Sequence, residues 1–431
     1  MLPIEIFILG LVVFLVLAFL GMPLAFAFAM VGFVGFAFLR GLSPALAMLG
    51  QAPWQWGSQS GLIVVPLFIL MGQFAFHAGI SRELYIAAYK WMGRLPGGLA
   101  LATNLACTGF AACTGSSLAA GATMGTIAYP EMMRFKYSAR LATGCVAAGG
   151  TLGILIPPSI VFIIYGFLTE QPIGTLFIAG IFPGLLLSAL FLLVILLTCI
   201  IKPELGPRGE SFPWRDKFAS LTGVWGMLLL FVMVVGGLYA GIFAPSEAGA
   251  VGAFSAFVIA ICRRTGVQMF LTSLKDSLRI TCMTITITIG AMIFSNFVTV
   301  SGVPAMFAEW VIGLPVSPYA ILLFILFLYV PLGMVLDALS MVLLTIPTVF
   351  PIVKMLGFDP IWFGVLVVLV MEMALISPPV GMIVYVVHGV TKVPLQDVFM
   401  GNMPFLLAMF VALALLIIFP EISLFLPYKM R

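Results

Sequence analysis

Long apolar runs, separated by short polar or proline-containing breaks, fill almost the whole chain. Most runs are close to the roughly 20 residues that an α-helix needs to cross a bilayer, so the pattern predicts a membrane protein built from helices. We interpret the first run as a retained helix, because it has neither the basic start nor the small-residue cleavage site of a signal peptide. The runs cover residues 3–20, 24–39, 60–78, 99–130, 141–168, 173–201, 222–240, 245–262, 280–300, 319–352, 360–386 and 397–419.

Two runs, 99–130 and 319–352, are too long for one crossing, and each is interrupted in its middle. Glycine and proline cost roughly 1 and 3 kcal/mol in a helix interior in water. At membrane depth, a broken backbone survives only where it is buried in protein or lines a wet cavity. We therefore predict two helical hairpins that each enter and leave the membrane on the same side.

The chain repeats its helix breakers. Pro130, Pro157 and Pro183 each precede another proline by 221 residues, at Pro351, Pro378 and Pro404. Each copy would hold about five crossings and one hairpin. Because five is odd, the second copy would lie upside down, which is the inverted-repeat plan of secondary transporters. The predicted fold is an all-α polytopic membrane protein with two inverted repeats, each of about five transmembrane helices plus one re-entrant helical hairpin.

The charged residues agree with this plan. Hydrophobic residues make up 63% of the 431 positions and charged residues 8%, against about 25% charged in soluble domains, which excludes a water-soluble enzyme. With the N-terminus outside, 15 of the 19 lysines and arginines fall on the inner side, as the positive-inside rule expects. The strongly charged stretch 202–217 joins the halves, and amphipathic segments 81–93 and 304–312 are predicted as interfacial arm helices.

These patterns divide the chain into six parts. They are the first scaffold helices with an arm helix (1–96), hairpin 1 with a broken helix (97–168), a helix with the cytoplasmic linker (169–221), the second scaffold helices with an arm helix (222–316), hairpin 2 with a broken helix (317–390), and a C-terminal helix (391–431).

The first candidate site is the tip of hairpin 1 together with the breaks that follow it. Hydroxyls and bare carbonyls at helix breaks are hard oxygen ligands, and helix ends favour ions, so we predict a Na⁺ site here. In the alternative, the glycines and serines only allow close helix packing, and Thr123 and Thr126 bond to their own helix. The residues concerned are Thr114, Gly115, Ser116 and Ser117 at the tip, and the breaks at Gly149, Gly150 and Thr151 and at Pro157, Pro158 and Ser159.

The second candidate site is the break between Gly333 and Ser340, where Asp337 aligns with Ser116 across the repeat. A carboxylate at membrane depth is costly and indicates function; it could bind Na⁺, carry a proton or cap a half-helix. The partner break runs from Ser377 and Pro378 to Gly381.

Two further carboxylates have apolar neighbours. Glu372 lies shortly before the Ser377 break, and Glu247 follows Pro245. Either could be a structural anchor, and for Glu247 we favour that interpretation.

The absence of nucleotide-binding and catalytic motifs limits how transport could be powered and which functions are possible. The sequence has no Walker A motif, so transport would draw on a gradient or on another subunit. Almost no lysine or arginine lies at depth, so an anion would be held by helix N-termini, hydroxyls and bound Na⁺. With two histidines, no polar catalytic cluster and no CxxC pair, we expect neither an enzyme, nor an organic cofactor, nor a nucleic-acid partner.

Several segments together resemble the large membrane subunit of a TRAP (tripartite ATP-independent periplasmic) transporter over nearly the whole length. The segments are PLFILMG (66–72), GSS through YPEM (115–132), AAGGTLGILIPPS (147–159), LFIAGIFPG (176–184), PSEA (245–248), GMVLDALSMVLLTIPTVFPI (333–352), GFDPIWFGV (357–365) and SPPVG (377–381).

The resemblance implies a Na⁺-coupled importer of a small carboxylate, such as a C4-dicarboxylate or sialic acid, in the bacterial inner membrane. It implies an elevator mechanism, in which hairpins and broken helices slide against a scaffold. It also implies a periplasmic substrate-binding protein and a small four-helix membrane subunit, which we expect as a separate chain. The implied ion sites fall on Ser116, Ser117, Gly153, Pro157, Asp337, Ser340 and Pro378. The alternative is a stand-alone divalent-anion/Na⁺ symporter of similar architecture.

Overall fold

Apolar runs fold into helices because a helix satisfies its own backbone hydrogen bonds where no water is present. The computed structural model describes residues 2–313, 315–333 and 336–429, and every regular element in those ranges is helical. The α-helices are α1 (Pro3–Phe19), α2 (Leu24–Arg40), α3 (Leu42–Gly57), α4 (Val64–His77), α5 (Ile80–Met92), α6 (Gly98–Thr114), α7 (Ser117–Arg134), α8 (Ala139–Leu155), α9 (Ile160–Thr169), α10 (Ile173–Ile201), α11 (Trp214–Phe231), α12 (Gly237–Tyr239), α13 (Pro245–Cys262), α14 (Val267–Val300), α15 (Val303–Ile312), α16 (Pro318–Gly333), α17 (Ala338–Met355), α18 (Pro360–Ile376), α19 (Met382–Thr391), α20 (Leu395–Ile418) and α21 (Glu421–Lys429).

Within the described ranges, seven helical stretches are long and apolar enough to cross a membrane, or up to eight if the bent pair α3 and α4 is one span. Six further apolar helices have 10–17 residues. The all-α polytopic class is therefore confirmed. The number of crossings and the orientation of the N-terminus stay predictions.

Each predicted hairpin corresponds to a pair of helices, α6 with α7 and α16 with α17, and the predicted arm segments correspond to the helices α5 and α15. The re-entrant course of the pairs and the interfacial position of the arms stay predictions. Met334 and Val335, which belong to the second predicted break, lie outside the described residues, as does Arg431. The apolar pattern did not reveal α3 and α21, and the start that it predicted for α14 lies about 13 residues after the observed one. Proline, glycine and glutamine dilute the apolar pattern of α3, and charged residues dilute the start of α14.

The order of the helices recurs along the chain. Helices α6 to α10 start at residues 98, 117, 139, 160 and 173, and α16 to α20 start at 318, 338, 360, 382 and 395. The offset is therefore 220–222 residues throughout. The inverted orientation of the second set stays a prediction.

One group of helices is held together by glycines and aromatic rings. Gly32 of α2 lies directly against the backbone of α14 at Phe294. The ring of Phe14 on α1 stacks on Phe28 at 4.5 Å, and both rings contact Phe294. Small residues let helix backbones approach closely where lipid gives no hydrophobic driving force. These contacts join α1, α2 and α14.

A second group interlocks the two halves of the chain. Gly121 of α7 faces Ile383 of α19, and a Cβ at Gly121 would be 3.3 Å from that side chain. In the other direction, the Tyr165 ring of α9 meets the Phe350 ring of α17 edge-on, and the Tyr165 hydroxyl donates to the carbonyl of Pro360 at 2.6 Å. Each hairpin therefore packs on the broken helix of the other half.

The linker 202–217 lies across the start of the first hairpin. The backbone N–H of Gly97 donates to the carbonyl of Gly206 at 3.0 Å, and that of Ser138 donates to Leu205 at 2.9 Å. The Tyr137 hydroxyl donates to the carbonyl of Pro207 at 2.7 Å. The charged linker is thus attached to the loops that precede α6 and α8.

Replacing Gly32 tests the α2–α14 contact. A Cβ at this position would lie 2.6 Å from the Phe294 Cα, so Gly32→Ala should destabilise the protein by about 1–3 kcal/mol, as overpacking does. The control is Gly50→Ala, because a Cβ there meets nothing within 4 Å. Thermal unfolding in detergent, followed by tryptophan fluorescence, measures both; equal melting temperatures for the two variants would contradict the contact.

Candidate functional site

The tip of hairpin 1 is a two-residue helix break that needs one left-handed and one extended residue. Helix α6 ends at Thr114, Gly115 takes the left-handed conformation at φ +59°, and Ser116 is the extended N-cap of α7. The Ser116 hydroxyl accepts a hydrogen bond from the N–H of Ala119 at 3.4 Å. A Cβ at Gly115 would be 2.7 Å from the carbonyl oxygen of Pro158. Glycine is therefore needed here both for its conformation and for the close approach.

The break between α8 and α9 lies against this tip. Residues Ile156 to Ser159 separate the two helices, and the Ser159 hydroxyl caps α9 by accepting from the N–H of Phe162 at 3.3 Å. On α8, a Cβ at Gly153 would be 2.9 Å from the carbonyl oxygen of Ser116. The structure thus brings together Ser116, Gly153 and the Pro157–Pro158 segment, as the first candidate site requires.

The prediction of a helix break at Gly149, Gly150 and Thr151 is wrong. Helix α8 runs unbroken through these residues. A Cβ at Gly149 would be 2.6 Å from the Cys107 Sγ atom, and one at Gly150 would be 3.1 Å from Gly121. Thr151 donates its hydroxyl proton to its own helix, at the carbonyl of Ala148. These glycines serve close packing, which was the alternative stated for them.

Asp337 caps a helix at the second break. Its Oδ2 atom accepts from the N–H of Leu339 at 3.2 Å, and its Oδ1 atom accepts from the Ser340 hydroxyl at 2.5 Å. Gly333, the last residue of α16, packs against Ala374 of α18. Capping was one of three roles considered for Asp337, and it does not exclude contact with a cation, because each carboxylate oxygen has further lone pairs.

The break between α18 and α19 begins at Ser377, which donates its hydroxyl proton to the carbonyl of Met373 at 2.6 Å. Pro378 and Pro379 follow, and Gly381 is left-handed at φ +56° as the N-cap of α19. A Cβ at Gly381 would be 3.0 Å from the Ser377 carbonyl oxygen. The chain therefore turns tightly here, as predicted from its proline and glycine pattern.

A buried hydrogen bond joins the two candidate sites. Ser117 donates to the Oε1 atom of Glu372 at 2.6 Å, and the two residues are 1% and 0% exposed. The other carboxylate oxygen, Oε2, has no hydrogen-bond partner among the described residues. By contrast, Glu247 is exposed and accepts from the N–H of Ala244 at 2.8 Å, so its predicted role as a structural anchor is confirmed.

A cavity of about 490 Å³ lies in front of the hairpin tips. Helices α4 and α14 form the opposite wall. The first residues of α7, α9 and α17 line the cavity, so the positive ends of three helix dipoles face it, together with the negative end of α6 at Thr114. In the described residues, Asp337 is its one charged lining residue, and no lysine or arginine contributes. The lining residues are Ile69, Gly72, Gln73, Phe76, Phe110, Thr114, Gly115, Ser116, Ser117, Leu118, Ala119, Ala122, Thr123, Ile154, Ile160, Val161, Ile280, Met283, Thr284, Ile287, Asp337, Ala338, Leu339 and Leu375.

The predicted residues divide into two groups. Thr114, Gly115, Ser116, Ser117 and Asp337 line the cavity. The remainder lie behind it, in the helix breaks and their contacts: Gly150, Thr151, Gly153, Pro157, Ser159, Gly333, Ser340, Glu372, Ser377, Pro378 and Gly381.

Gln73 and Thr284 on the opposite wall line the cavity as well, although neither was predicted as a site residue. The signal for Gln73 was a single amide within the apolar run 60–78.

Comparisons with known proteins agree with this geometry. The sequence model of the family described as "Tripartite ATP-independent periplasmic transporter, DctM component" matches residues 11–422. The chain is 36% identical over 400 residues to the C4-dicarboxylate TRAP transporter large permease protein DctM of Pseudomonas aeruginosa, covering 90% of this chain and 93% of that protein. It is 31% identical over 420 residues to the sialic acid TRAP transporter large permease protein SiaM of Vibrio cholerae, covering 95% and 96%.

The fold is similar to the crystal structure of the YdaH transporter of Alcanivorax borkumensis. The TM-score is 0.61 at 13% sequence identity, over 90% of this chain and 89% of that chain. At this identity, the likeness concerns the fold alone.

Removing the Ser117 hydroxyl tests the buried hydrogen bond. Ser117→Ala should lower stability by about 1–3 kcal/mol, because it leaves a buried acceptor unsatisfied. The double variant Ser117→Ala, Glu372→Ala should lose less free energy of unfolding than the two single variants lose together. Unfolding in sodium-free detergent buffer separates this effect from any ion binding. The control is Ser220→Ala, whose hydroxyl donates within its own helix; strict additivity of the Ser117 and Glu372 changes would contradict the bond.

Proposed function

Because this chain belongs to the DctM component family of the tripartite ATP-independent periplasmic transporters, we propose that it imports a small organic acid, driven by a sodium gradient. The chain is a multi-pass transport protein rather than an enzyme. The observation that carries the proposal is the cavity between two hairpin tips and the α4–α14 wall. It is lined by helix N-termini, hydroxyls, the Gln73 amide and the Asp337 carboxylate in an otherwise apolar surface.

The proposed substrate is a carboxylate. The two relatives described above are named for C4-dicarboxylates and sialic acid, which are both acids. A volume of about 490 Å³ lies in the range of small-molecule sites. Since no lysine or arginine lines the described wall, the carboxylate is held by the first N–H groups of α7 and α17. Helix N-termini are suited to this because they combine free donors with a positive dipole end.

The proposed coupling ion is Na⁺. The tip of hairpin 1 offers the Ser116 and Ser117 oxygens, and the adjoining break offers the carbonyl oxygens near Pro157. On the second side, Asp337 offers a carboxylate beside the cavity. Oxygen ligands from hydroxyls, carbonyls and a carboxylate at unwound helices are the ion sites of sodium-driven transporters. Among the described residues, no group of three histidine, cysteine or acidic side chains could hold a transition metal.

The proposed movement is an elevator. The hairpins and broken helices interlock across the two halves, through Ser117 with Glu372 and through Tyr165 with Pro360. This group would move as one body against α1 to α4 and α11 to α14. The cavity at the boundary would then open to one side of the membrane at a time.

The proposed assembly is tripartite. A small four-helix membrane subunit and a periplasmic substrate-binding protein complete the transporter in the bacterial inner membrane, with the N-terminus of this chain outside. The basic residues support this orientation, because most of them then lie in the cytoplasm. A stand-alone divalent-anion/Na⁺ symporter is the alternative.

Uptake into proteoliposomes tests the assembly and the coupling. The chain is reconstituted with the small subunit and the binding protein encoded with it, and labelled C4-dicarboxylates and sialic acid are offered with and without an inward Na⁺ gradient. We expect uptake of an acid that needs both the binding protein and Na⁺. Uptake without the binding protein would favour the stand-alone symporter, and uptake that is indifferent to Na⁺ would contradict sodium coupling.

Asp337→Asn tests the charge separately from the helix cap. Asparagine is also a good N-cap, so expression and stability should change little. Loss of the carboxylate charge should lower the apparent Na⁺ affinity of uptake by about tenfold or more, which corresponds to about 1.4 kcal/mol. Asp359→Asn is the matched control, because Asp359 caps α18 through Ile361 and Trp362 and does not line the cavity. Normal Na⁺ activation of the Asp337 variant would remove this residue from the ion site.

A further inference from the structure

We propose that Gln73 and Thr284 form a neutral polar subsite that binds an uncharged hydroxyl or carbonyl group of the transported acid. The inference rests on the proposed function, because it takes the cavity as the substrate site. It adds that the substrate carries such a group besides its carboxylates. It also adds that the α4–α14 wall recognises this group, while the hairpin tips bind the charge.

Gln73 is held at the cavity by the packing of its neighbour. A Cβ at Gly72 would lie 2.6 Å from the carbonyl oxygen of Cys113, so α4 is pressed against the end of α6. The next residue, Gln73, is half-buried and lines the cavity. Its amide has no hydrogen bond to any other described residue. A primary amide offers two donor hydrogens and an acceptor oxygen, so a hydroxyl or a carbonyl group fits it equally.

Thr284 differs from Thr286 and Thr288 on the same helix. The hydroxyls of Thr286 and Thr288 donate to the carbonyls four residues earlier, at 2.7 and 2.9 Å. Thr284 makes no such bond among the described residues, although it is 7% exposed. It lies on the cavity face of α14 with Ile280 and Ile287. Although the residue is buried, its hydroxyl oxygen is not fully enclosed by protein. It faces the cavity and is available to a ligand there.

The two walls therefore differ in chemistry. The hairpin side presents helix N-termini and Asp337, and the α4–α14 side presents an amide and a hydroxyl with no charge. A site that hydrogen-bonds a polar substituent rejects the analogue that lacks it, because its own buried groups are then left unpaired. In the proposed elevator, α4 and α14 stay fixed, so these bonds form in the position described here and break when the hairpins move.

The test compares L-malate with succinate, which differ by one hydroxyl group. Both are offered to proteoliposomes that contain the full chain, its small subunit and its binding protein, and the ratio of initial uptake rates is measured. The binding protein is the same in every assay, so a change in the ratio reports on the membrane chain. We expect the wild type to favour malate, and Gln73→Leu and Thr284→Val each to lower the ratio by about threefold to tenfold, the worth of one hydrogen bond.

Two control variants keep the outcomes separate. Thr286→Val, at an exposed hydroxyl bonded within α14, should leave the ratio unchanged, and so should Thr284→Ser, which keeps the hydroxyl. If Gln73→Leu abolishes all uptake, the comparison of Thr284→Val with Thr284→Ser tests the subsite instead. If the wild type takes up the acids and both Gln73→Leu and Thr284→Val keep the wild-type ratio of malate to succinate uptake, the subsite is overturned. The proposed function then still stands. Uptake of neither acid by the wild type would overturn the subsite for a C4-dicarboxylate hydroxyl and would leave the import of another organic acid, such as sialic acid, as the proposed function.

Discussion

Ser117 and Glu372 come from opposite halves of the chain and form a hydrogen bond in a place that water does not reach. A carboxyl group in such a place needs a hydrogen-bond partner, because burying a polar group without one is costly. The bond therefore fixes the tip of hairpin 1 relative to α18. Through α18 it also fixes Gly333 at the end of α16, which packs on Ala374. Together with the Gly121–Ile383 and Tyr165–Pro360 contacts, it holds the helix breaks of the two halves in their relative position.

The interlocking of the halves follows from the needs of broken helices. Each break leaves N–H and C=O groups that the membrane cannot satisfy. The structure supplies caps from the chain itself, through Ser116, Ser159 and Asp337, and then covers each break with the other half. The result is an interlocked group of helices that presents several helix ends at one surface. That surface is the cavity.

How far the sequence predicts this arrangement depends on how local each signal is. The breaks at Ser116 and Asp337 were predictable, because a capping residue after an apolar run marks a helix start whatever lies nearby. Gly149 and Gly150 also indicated a helix break, because glycine is a poor helix former, but they do not break the helix. A glycine that packs against Cys107 looks identical in sequence to one that ends a helix. Gln73 and Thr284 were missed for a related reason. Which face of α4 or α14 meets the hairpin tips is decided by contacts between residues far apart in the chain.

The charge balance of the cavity connects the proposed ion with the proposed substrate. Asp337 is the single charged group of the described wall, and it is negative. A carboxylate that enters beside it is repelled. Three helix N-termini, each equivalent to about half a positive charge, oppose this repulsion, but the negative C-terminal end of α6 at Thr114 cancels one of them. The helix ends therefore only offset the repulsion. A cation between Asp337 and the substrate removes the conflict, because it converts a pair of like charges into an alternating row. In the proposed mechanism, the anion would bind well only after the cation has bound, so coupling would arise from electrostatics at the site itself.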